Sequence, residues 1–206
     1  MRMDAPRFAT AILAAGASSR MGRPKMLLPW GSTTVLGHLV AQWQKIGATQ
    51  VTVVCAVDDK PIEDELDRIG VRHEFRILNP DPVRGMFSSI QCAAGWTGWN
   101  SSLTHWAIAL GDQPHLSETT LRALVQYGGQ HSAKICQPAH NGRPRHPIFF
   151  PKHAWRALVN SRHVNLKEFL ASHVAGLQLM EMNDPGLDLD LDTPSDYEHA
   201  RRQFGG

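Results

Sequence analysis

The chain has 206 residues, of which 42% are hydrophobic and 19% charged, and its formal net charge is +2. This length suits one medium-sized domain, 1–206, that buries roughly two-thirds or more of its unfolded surface without disulfides or metals. The composition excludes a disordered chain, a coiled coil and a non-specific nucleic-acid binder.

Cysteine usage and the amino terminus indicate the compartment. Cys55, Cys92 and Cys136 are odd in number, widely separated and set in apolar context, which favours buried thiols over a disulfide framework. The first ten residues lack the apolar core of a signal peptide. No apolar run approaches the roughly 20 residues of a membrane span. We therefore expect a cytoplasmic protein without a membrane partner.

Apolar strands alternate with amphipathic helices over the first two-thirds of the chain. Strands are predicted at 8–13, 51–57, 105–110 and 133–137, and helices at 33–47, 61–70 and 117–129. In the last helix, Ser117 is the expected N-cap and Gly128 is expected to lie beyond its end. This order predicts an α/β fold, a Rossmann-like three-layer sandwich with a mostly parallel central sheet.

The last third is less regular, and we interpret it as a substrate-binding extension of the same domain. Strands are predicted at 145–150, 176–182 and 187–192, and helices at 151–160, 164–173 and 194–204. In the segment 187–192, alternating leucine and aspartate would place the acids on one solvated face of a strand.

A glycine-rich loop, 14–25, follows the first strand at the sheet edge where α/β proteins bind ligands. Gly16 and Gly22 allow backbone N–H groups to converge on phosphate oxygens, while Arg20 and Lys25 add positive charge. A surface turn with incidental basic residues is the alternative. The loop has neither the Walker nor the Rossmann glycine pattern.

A carboxylate follows the strand 105–110. Asp112 can hold a hard cation such as Mg²⁺ between phosphate oxygens, or it can cap the following turn. The glycine-rich loop favours the first alternative, because a phosphate site without a metal-binding carboxylate is incomplete for phosphoryl chemistry.

Five segments in this order resemble the MobA-like nucleotidyltransferase family and, within it, the molybdenum cofactor cytidylyltransferases. They read LAAGASSRMGRPK, NPDPVRGMFSSI, GDQP, RPRHPIFF and DLDTPSDY. The resemblance implies a fold of the nucleotide-diphospho-sugar transferase type and a Mg²⁺-dependent transfer of CMP from CTP to molybdopterin. The products would be molybdopterin cytosine dinucleotide and pyrophosphate, with a molybdenum hydroxylase of the xanthine dehydrogenase type as a further partner.

The resemblance also implies roles for individual residues. The catalytic residues would be Arg20, Lys25 and Asp112. The nucleotide-binding residues would be Leu13, Ala14, Ala15, Gly16, Ser18, Ser19, Gly22, Gly85, Ser88 and Ser89. Asp112 and Asp190 would hold the metal, with Asp192 the next match after Asp190.

Several of these residues have alternative interpretations. The hydroxyls of Ser88 and Ser89 can bind a ribose or base edge, or they can satisfy the amides of their own helix start. The guanylyl-transferring relatives read L-A-G-G where this chain has Ala15, and the added methyl group favours a pyrimidine over a purine.

Acceptor binding is assigned to Arg145 and His146, where the cytidylyltransferases usually carry G-H-P. Arg145 could grip the pterin phosphate or obstruct the pocket, and His146 could orient the acceptor or bond within its loop.

Two other functions compete with this hypothesis. One keeps the fold but uses GTP or another small phosphate substrate. The other is a non-catalytic carrier of the finished cofactor, against which Arg20, Lys25 and Asp112 argue, since a carrier has less need of a triphosphate and metal site.

Overall fold

The computed structural model describes residues 5–16 and 18–204. The strands are β1 (Phe8–Leu13), β2 (Pro29–Trp30), β3 (Thr33–Thr34), β4 (Gln50–Ala56), β5 (Arg76–Asn79), β6 (His105–Leu110), β7 (Ile135–His140), β8 (Arg143–Pro144), β9 (Ile148–Pro151) and β10 (Leu177–Glu181). The α-helices are α1 (Val35–Lys45), α2 (Lys60–Arg68), α3 (Met86–Gly95), α4 (Glu118–Gln130), α5 (Lys152–Val159), α6 (Leu166–Ser172) and α7 (Pro194–Phe204).

The main sheet is mostly parallel. Its strands lie in the order β10-β7-β9-β6-β1-β4-β5, with β8 paired to β7. Neighbouring strands are parallel except around β9, which runs antiparallel to both β6 and β7, and at β8. The strands β2 and β3 form a separate hairpin. This is the mostly parallel sheet that the sequence predicts.

Two apolar cores cover the two faces of the sheet. Along β1, Phe8 and Ile12 pack into one core and Ala9 and Ala11 into the other, because successive strand residues point to opposite faces. The helices α1 and α4 contribute to the first core, and α3 and α5 to the second. The predicted three-layer arrangement is therefore confirmed.

Most predicted elements are present. The strands 8–13 and 105–110 and the helix 194–204 have the predicted bounds. The strand predicted at 133–137 begins two residues later and runs to His140. The longest described helix, α4, has 13 residues, and no helix in the described ranges is long and apolar enough to cross a bilayer.

The prediction that α4 ends before Gly128 is wrong. Ser117 is the N-cap, accepting a hydrogen bond from the Thr120 N–H, but the helix continues to Gln130. A Cβ atom at Gly128 would lie 2.2 Å from a ring carbon of Phe149. The glycine therefore serves close packing of the helix on the sheet.

The prediction of a strand at 187–192 is also wrong. A short 3-10 helix covers Pro185–Asp188, and the chain then continues without regular structure to α7. Leu187 and Leu191 are buried, while the aspartates that alternate with the leucines contact different parts of the site described below. Side-chain partners from separate loops, rather than a sheet neighbour, determine the course of this segment.

Candidate active site

The two loops singled out in the sequence meet at one edge of the sheet. The parallel neighbours β1 and β6 pair Leu13 with Leu110, so their carboxyl ends finish side by side. The chain places β4 on one side of β1 and β6 on the other, which makes this gap a topological switch point. A cavity of about 340 Å³, here called the switch-point cavity, opens at this place.

Most residues predicted to bind nucleotide line the switch-point cavity. They are Leu13, Ala14, Ala15, Gly16, Ser18, Gly85 and Ser89. Lys25 and Asp112 line it as well, together with Met26, Gly111 and the exposed side chain of Val83. The structure therefore brings the glycine-rich loop, the start of α3 and Asp112 around one space.

Local bonds hold the glycine-rich loop in shape. The Ala14 N–H donates to the Val54 carbonyl at 2.8 Å, and the Lys25 N–H donates to the Ser18 hydroxyl at 3.2 Å. Gly22 has φ = 67°, which glycine adopts without strain, and it shapes an exposed turn outside the cavity lining. The side chain of Ser19 lies outside the described part of the chain.

Two glycines of the cavity have opposite surroundings. A Cβ atom at Gly111 would lie 2.5 Å from Met26 Sδ and 2.7 Å from the Leu13 carbonyl oxygen. A Cβ atom at Gly16 would meet no protein atom within 4 Å. Packing therefore requires glycine at 111, whereas the space above Gly16 is open to a ligand.

We expect Gly111→Ala to lower the free energy of unfolding by about 1–3 kcal/mol, because the added methyl group overpacks the site. Gly16→Ala should change it by less than about 1 kcal/mol. Urea unfolding of both variants checks this difference, and equal losses in the two would contradict it.

The two serines at the start of α3 share Asn79 as a partner, but only Ser89 lines the cavity. The Ser88 hydroxyl donates to the Gly85 carbonyl at 2.8 Å and accepts from Asn79 Nδ2 at 2.8 Å. Ser89 Oγ accepts from the same amide at 2.9 Å and lines the cavity. Ser88 is thus engaged within the chain, and Ser89 is the serine placed toward a ligand.

Four charged side chains form a cluster beside the cavity. Lys25 Nζ lies 2.7 Å from Asp112 Oδ2 and 3.8 Å from Asp192 Oδ1. Arg20 lies 2.8 Å from Asp192 Oδ2, and its side chain is 71% exposed. The Lys25 and Asp112 side chains are only 17% and 19% exposed, so their ion pair is partly shielded from water.

Asp190 lies beside this cluster rather than in the lining of the switch-point cavity. Gln113 Nε2 donates to Asp190 Oδ1 at 2.9 Å. Burial of the carboxyl group, and then the negative charge of Asp112, raise the pKa of Asp190. Asp190 lines a second cavity of about 340 Å³, which shares Leu110 with the first.

This second cavity contains both residues predicted to bind the acceptor. Arg145 is paired with Asp188, whose Oδ1 lies 2.6 Å from Nε. The other oxygen of Asp188 lies 2.8 Å from His140 Nδ1. The Arg145 guanidinium is thus held at the cavity wall by a carboxylate. The Nδ1 atom of His146 is buried and has no hydrogen-bond partner among the described residues.

The partly buried imidazole of His146, whose Nδ1 atom is enclosed, makes stability depend on pH. Burial lowers its pKa from 6.5 to about 4, so the unfolded chain binds more protons between these values. The free energy of unfolding therefore falls as the pH drops from 6.5 toward 4. We expect His146→Gln to reduce this fall by up to about 3 kcal/mol, at about 1.36 kcal/mol per pKa unit.

Urea unfolding at neutral and acidic pH measures this effect. The exposed His153 offers a matched control, because His153→Gln should leave the pH dependence unchanged. The same pH dependence in wild type and His146→Gln would contradict the assignment.

Residues 10–177 match the model of the MobA-like NTP transferase domain. The chain belongs to this family. It is 27% identical over 197 residues to the molybdenum cofactor cytidylyltransferase of Escherichia coli K12, covering 94% of this chain and 95% of the relative. As a MobA-like protein, the chain is a nucleotidyltransferase.

Solved structures share the fold. Rv0371c from Mycobacterium tuberculosis H37Rv superimposes with a TM-score of 0.73 and 25% identity, over 96% of this chain and 98% of that one. A complex of Rv0371c with manganese gives a TM-score of 0.67 and 23% identity, over 95% and 98% of the two chains.

The carboxylates of this MobA-like site fit a divalent cation. Asp112 Oδ1 is buried and accepts no hydrogen bond from any described residue, which suits a hard cation. The described residues contain no group of three or more His, Cys, Asp or Glu side chains arranged as metal ligands. One or two carboxylates suit Mg²⁺, which commonly completes its coordination with water and substrate phosphates.

Three contributions to the site were missed by sequence reasoning. Gly111 packs on Met26, Gln113 holds Asp190, and Asp188 holds Arg145. The small residue directly before Asp112 could have been noticed. The other two pairs are separated by 77 and 43 positions, and no local pattern joins them.

Proposed function

We propose that the chain transfers CMP from CTP to the terminal phosphate of molybdopterin in a Mg²⁺-dependent reaction. An acceptor phosphate oxygen bonds to the α-phosphorus of CTP, the bond from that phosphorus to the β-phosphate oxygen breaks, and pyrophosphate leaves. The observation that carries this proposal is the Lys25–Asp112 pair in a cavity walled by the glycine-rich loop. In-line transfer needs positioning and charge neutralisation rather than a protein nucleophile.

The charged cluster provides both parts of a triphosphate and metal site. Lys25 and Arg20 exchange carboxylate partners for phosphate oxygens when nucleotide binds. Asp112, with Asp190 or Asp192, holds the metal. Mg²⁺ held there would neutralise charge on the triphosphate. The second cavity, with Arg145 and His146, takes the acceptor.

The relatives support the finer points of the proposal. The Escherichia coli relative, matched over 95% of its length, is named a molybdenum cofactor cytidylyltransferase. The manganese complex of Rv0371c supports a divalent cation. The free thiols of Cys55, Cys92 and Cys136 suit the cytoplasm, where we place the reaction. A molybdenum hydroxylase of the xanthine dehydrogenase type is the proposed recipient of the product.

Label transfer tests the reaction. With [α-³²P]CTP, molybdopterin and Mg²⁺, the label should enter a dinucleotide product, whereas the label of [γ-³²P]CTP should leave as pyrophosphate. Label from the γ-phosphate in the acceptor would show a kinase reaction and contradict the proposal.

The base preference depends on Ala15 in this proposal. Ala15 lines the switch-point cavity. In this proposal its methyl group narrows the space available to a base. We expect Ala15→Gly to lower the ratio of kcat/KM for CTP to that for GTP about tenfold, since small steric changes contribute about 1–3 kcal/mol to discrimination. Ala14→Gly, at a lining position not assigned to base selection, is the matched control. An unchanged ratio in Ala15→Gly would remove Ala15 from this role.

A further inference from the structure

A small cavity lies between α1 and the loop that follows β6. Its volume is about 10 Å³, and its lining includes Leu39, Gln42, Trp43, Gln113, Leu116 and Pro147. A cavity of this size is close to the smallest that holds one water molecule. The two glutamines set it apart from the apolar voids of a protein core.

Both glutamines have a fixed donor side. Gln42 Nε2 donates to the Leu116 carbonyl at 2.6 Å, and Gln113 Nε2 donates to Asp190 Oδ1 at 2.9 Å. A carbonyl oxygen and an ionised carboxylate accept hydrogen bonds only, so with Asp190 ionised these partners fix which end of each amide is the oxygen. Gln42 is 7% and Gln113 4% exposed.

The two amide oxygens lack hydrogen-bond donors among the described residues. Gln42 Oε1 and Gln113 Oε1 are buried, and neither accepts a hydrogen bond from a described residue. A buried acceptor without a donor costs about 1–3 kcal/mol. A water molecule has two hydrogens to donate, one for each oxygen.

We propose that this cavity binds one water molecule that bridges Gln42 and Gln113, and that Gln42 is thereby a positioning residue for Asp190. The chain of bonds runs from α1 through the water to Gln113, and from Gln113 to the carboxylate. Gln42 also holds the Leu116 end of the same loop. The role of Asp190 in metal binding rests on the proposed function.

Two measurements test this proposal. A high-resolution crystal structure should show an ordered water within hydrogen-bond distance of both Oε1 atoms. In the transfer assay, Gln42→Met should raise the Mg²⁺ concentration at half-maximal rate about three- to tenfold, as expected for one lost hydrogen bond, with kcat at saturating Mg²⁺ within about twofold. Gln113→Met should raise it about tenfold or more, since it removes the direct partner of Asp190.

The matched control and the double variant separate positioning from general destabilisation. Gln91, on α3, donates to the Ser161 carbonyl at 2.9 Å and has no bond to Asp190. Gln91→Met should therefore not change the Mg²⁺ dependence. The Gln42→Met, Gln113→Met double variant should be no worse than Gln113→Met alone, because Gln42 acts through Gln113.

The possible results distinguish the water bridge, the positioning role of Gln42 and the proposed function. Additive effects in the double variant, or a dry cavity in the crystal, would overturn the proposal. An ordered water combined with an unchanged Mg²⁺ dependence in Gln113→Met would keep the water bridge and reject the positioning role, because Asp190 would then not be a metal ligand. If no nucleotide is turned over at all, the crystal structure still decides on the water, and the failure lies in the proposed function.

Discussion

Asp112→Asn should lower the rate of nucleotidyl transfer at least about a hundredfold, as the loss of a preorganised electrostatic group does in other active sites. The substitution keeps the shape of the side chain and removes its charge. Asp112 Oδ1, the buried oxygen without a hydrogen-bond partner, then no longer attracts a cation. The Lys25 ammonium also loses its partner at 2.7 Å.

The loss should be specific to metal-dependent steps. With CTP present, Mg²⁺ should raise the melting temperature of the wild type but not that of Asp112→Asn, because only the wild type binds the ion in its folded state. Asp64, an exposed aspartate paired with Lys60 outside the site, offers a matched control in Asp64→Asn. A near-normal rate in Asp112→Asn would remove Asp112 from the catalytic site.

Lys25→Met should have a comparable effect, again at least about a hundredfold on turnover. Lys25 is the best shielded cation of the cluster, since its side chain is 17% exposed and that of Arg20 is 71% exposed. A charge that is partly removed from water acts more strongly on a developing phosphate charge. Without it, the neighbouring carboxylates of Asp112 and Asp192 also repel the triphosphate.

Rate and binding measurements check the role of Lys25. Steady-state rates with CTP should show the loss, and direct CTP binding should weaken as well. Lys60→Met removes an exposed lysine of an i,i+4 pair and serves as the matched control, with an expected rate close to wild type. A full rate in Lys25→Met at saturating CTP would show that Lys25 only binds substrate or is dispensable.

The sequence predicts the central part of the fold because its signals there are local. The strand β1 is apolar on both faces, and its neighbours β4 and β6 are as well, which indicates a sheet covered on both sides. The position of Asp112 directly after β6 then follows from the parallel order. The amino-acid sequence alone therefore suffices to place the glycine-rich loop and Asp112 at the same edge of the sheet.

The carboxyl-terminal segment could not be predicted in the same way. Leucine and aspartate alternate at 187–192 as they would in a strand. The side chains of the three aspartates, however, contact three separate segments of the chain. Asp188 pairs with Arg145, Asp190 accepts from Gln113, and Asp192 pairs with Arg20. These partners are distant in sequence, and tertiary contacts override the local pattern.

Pyrophosphate release by the purified protein with Mg²⁺ and molybdopterin, measured separately with CTP, GTP, ATP and UTP, tests the proposed function. We expect release with CTP and little with the other three nucleotides. Faster release with GTP would contradict the base assignment. No release with any nucleotide, despite measurable CTP binding, would contradict molybdopterin as the acceptor and leave another acceptor or a cofactor carrier.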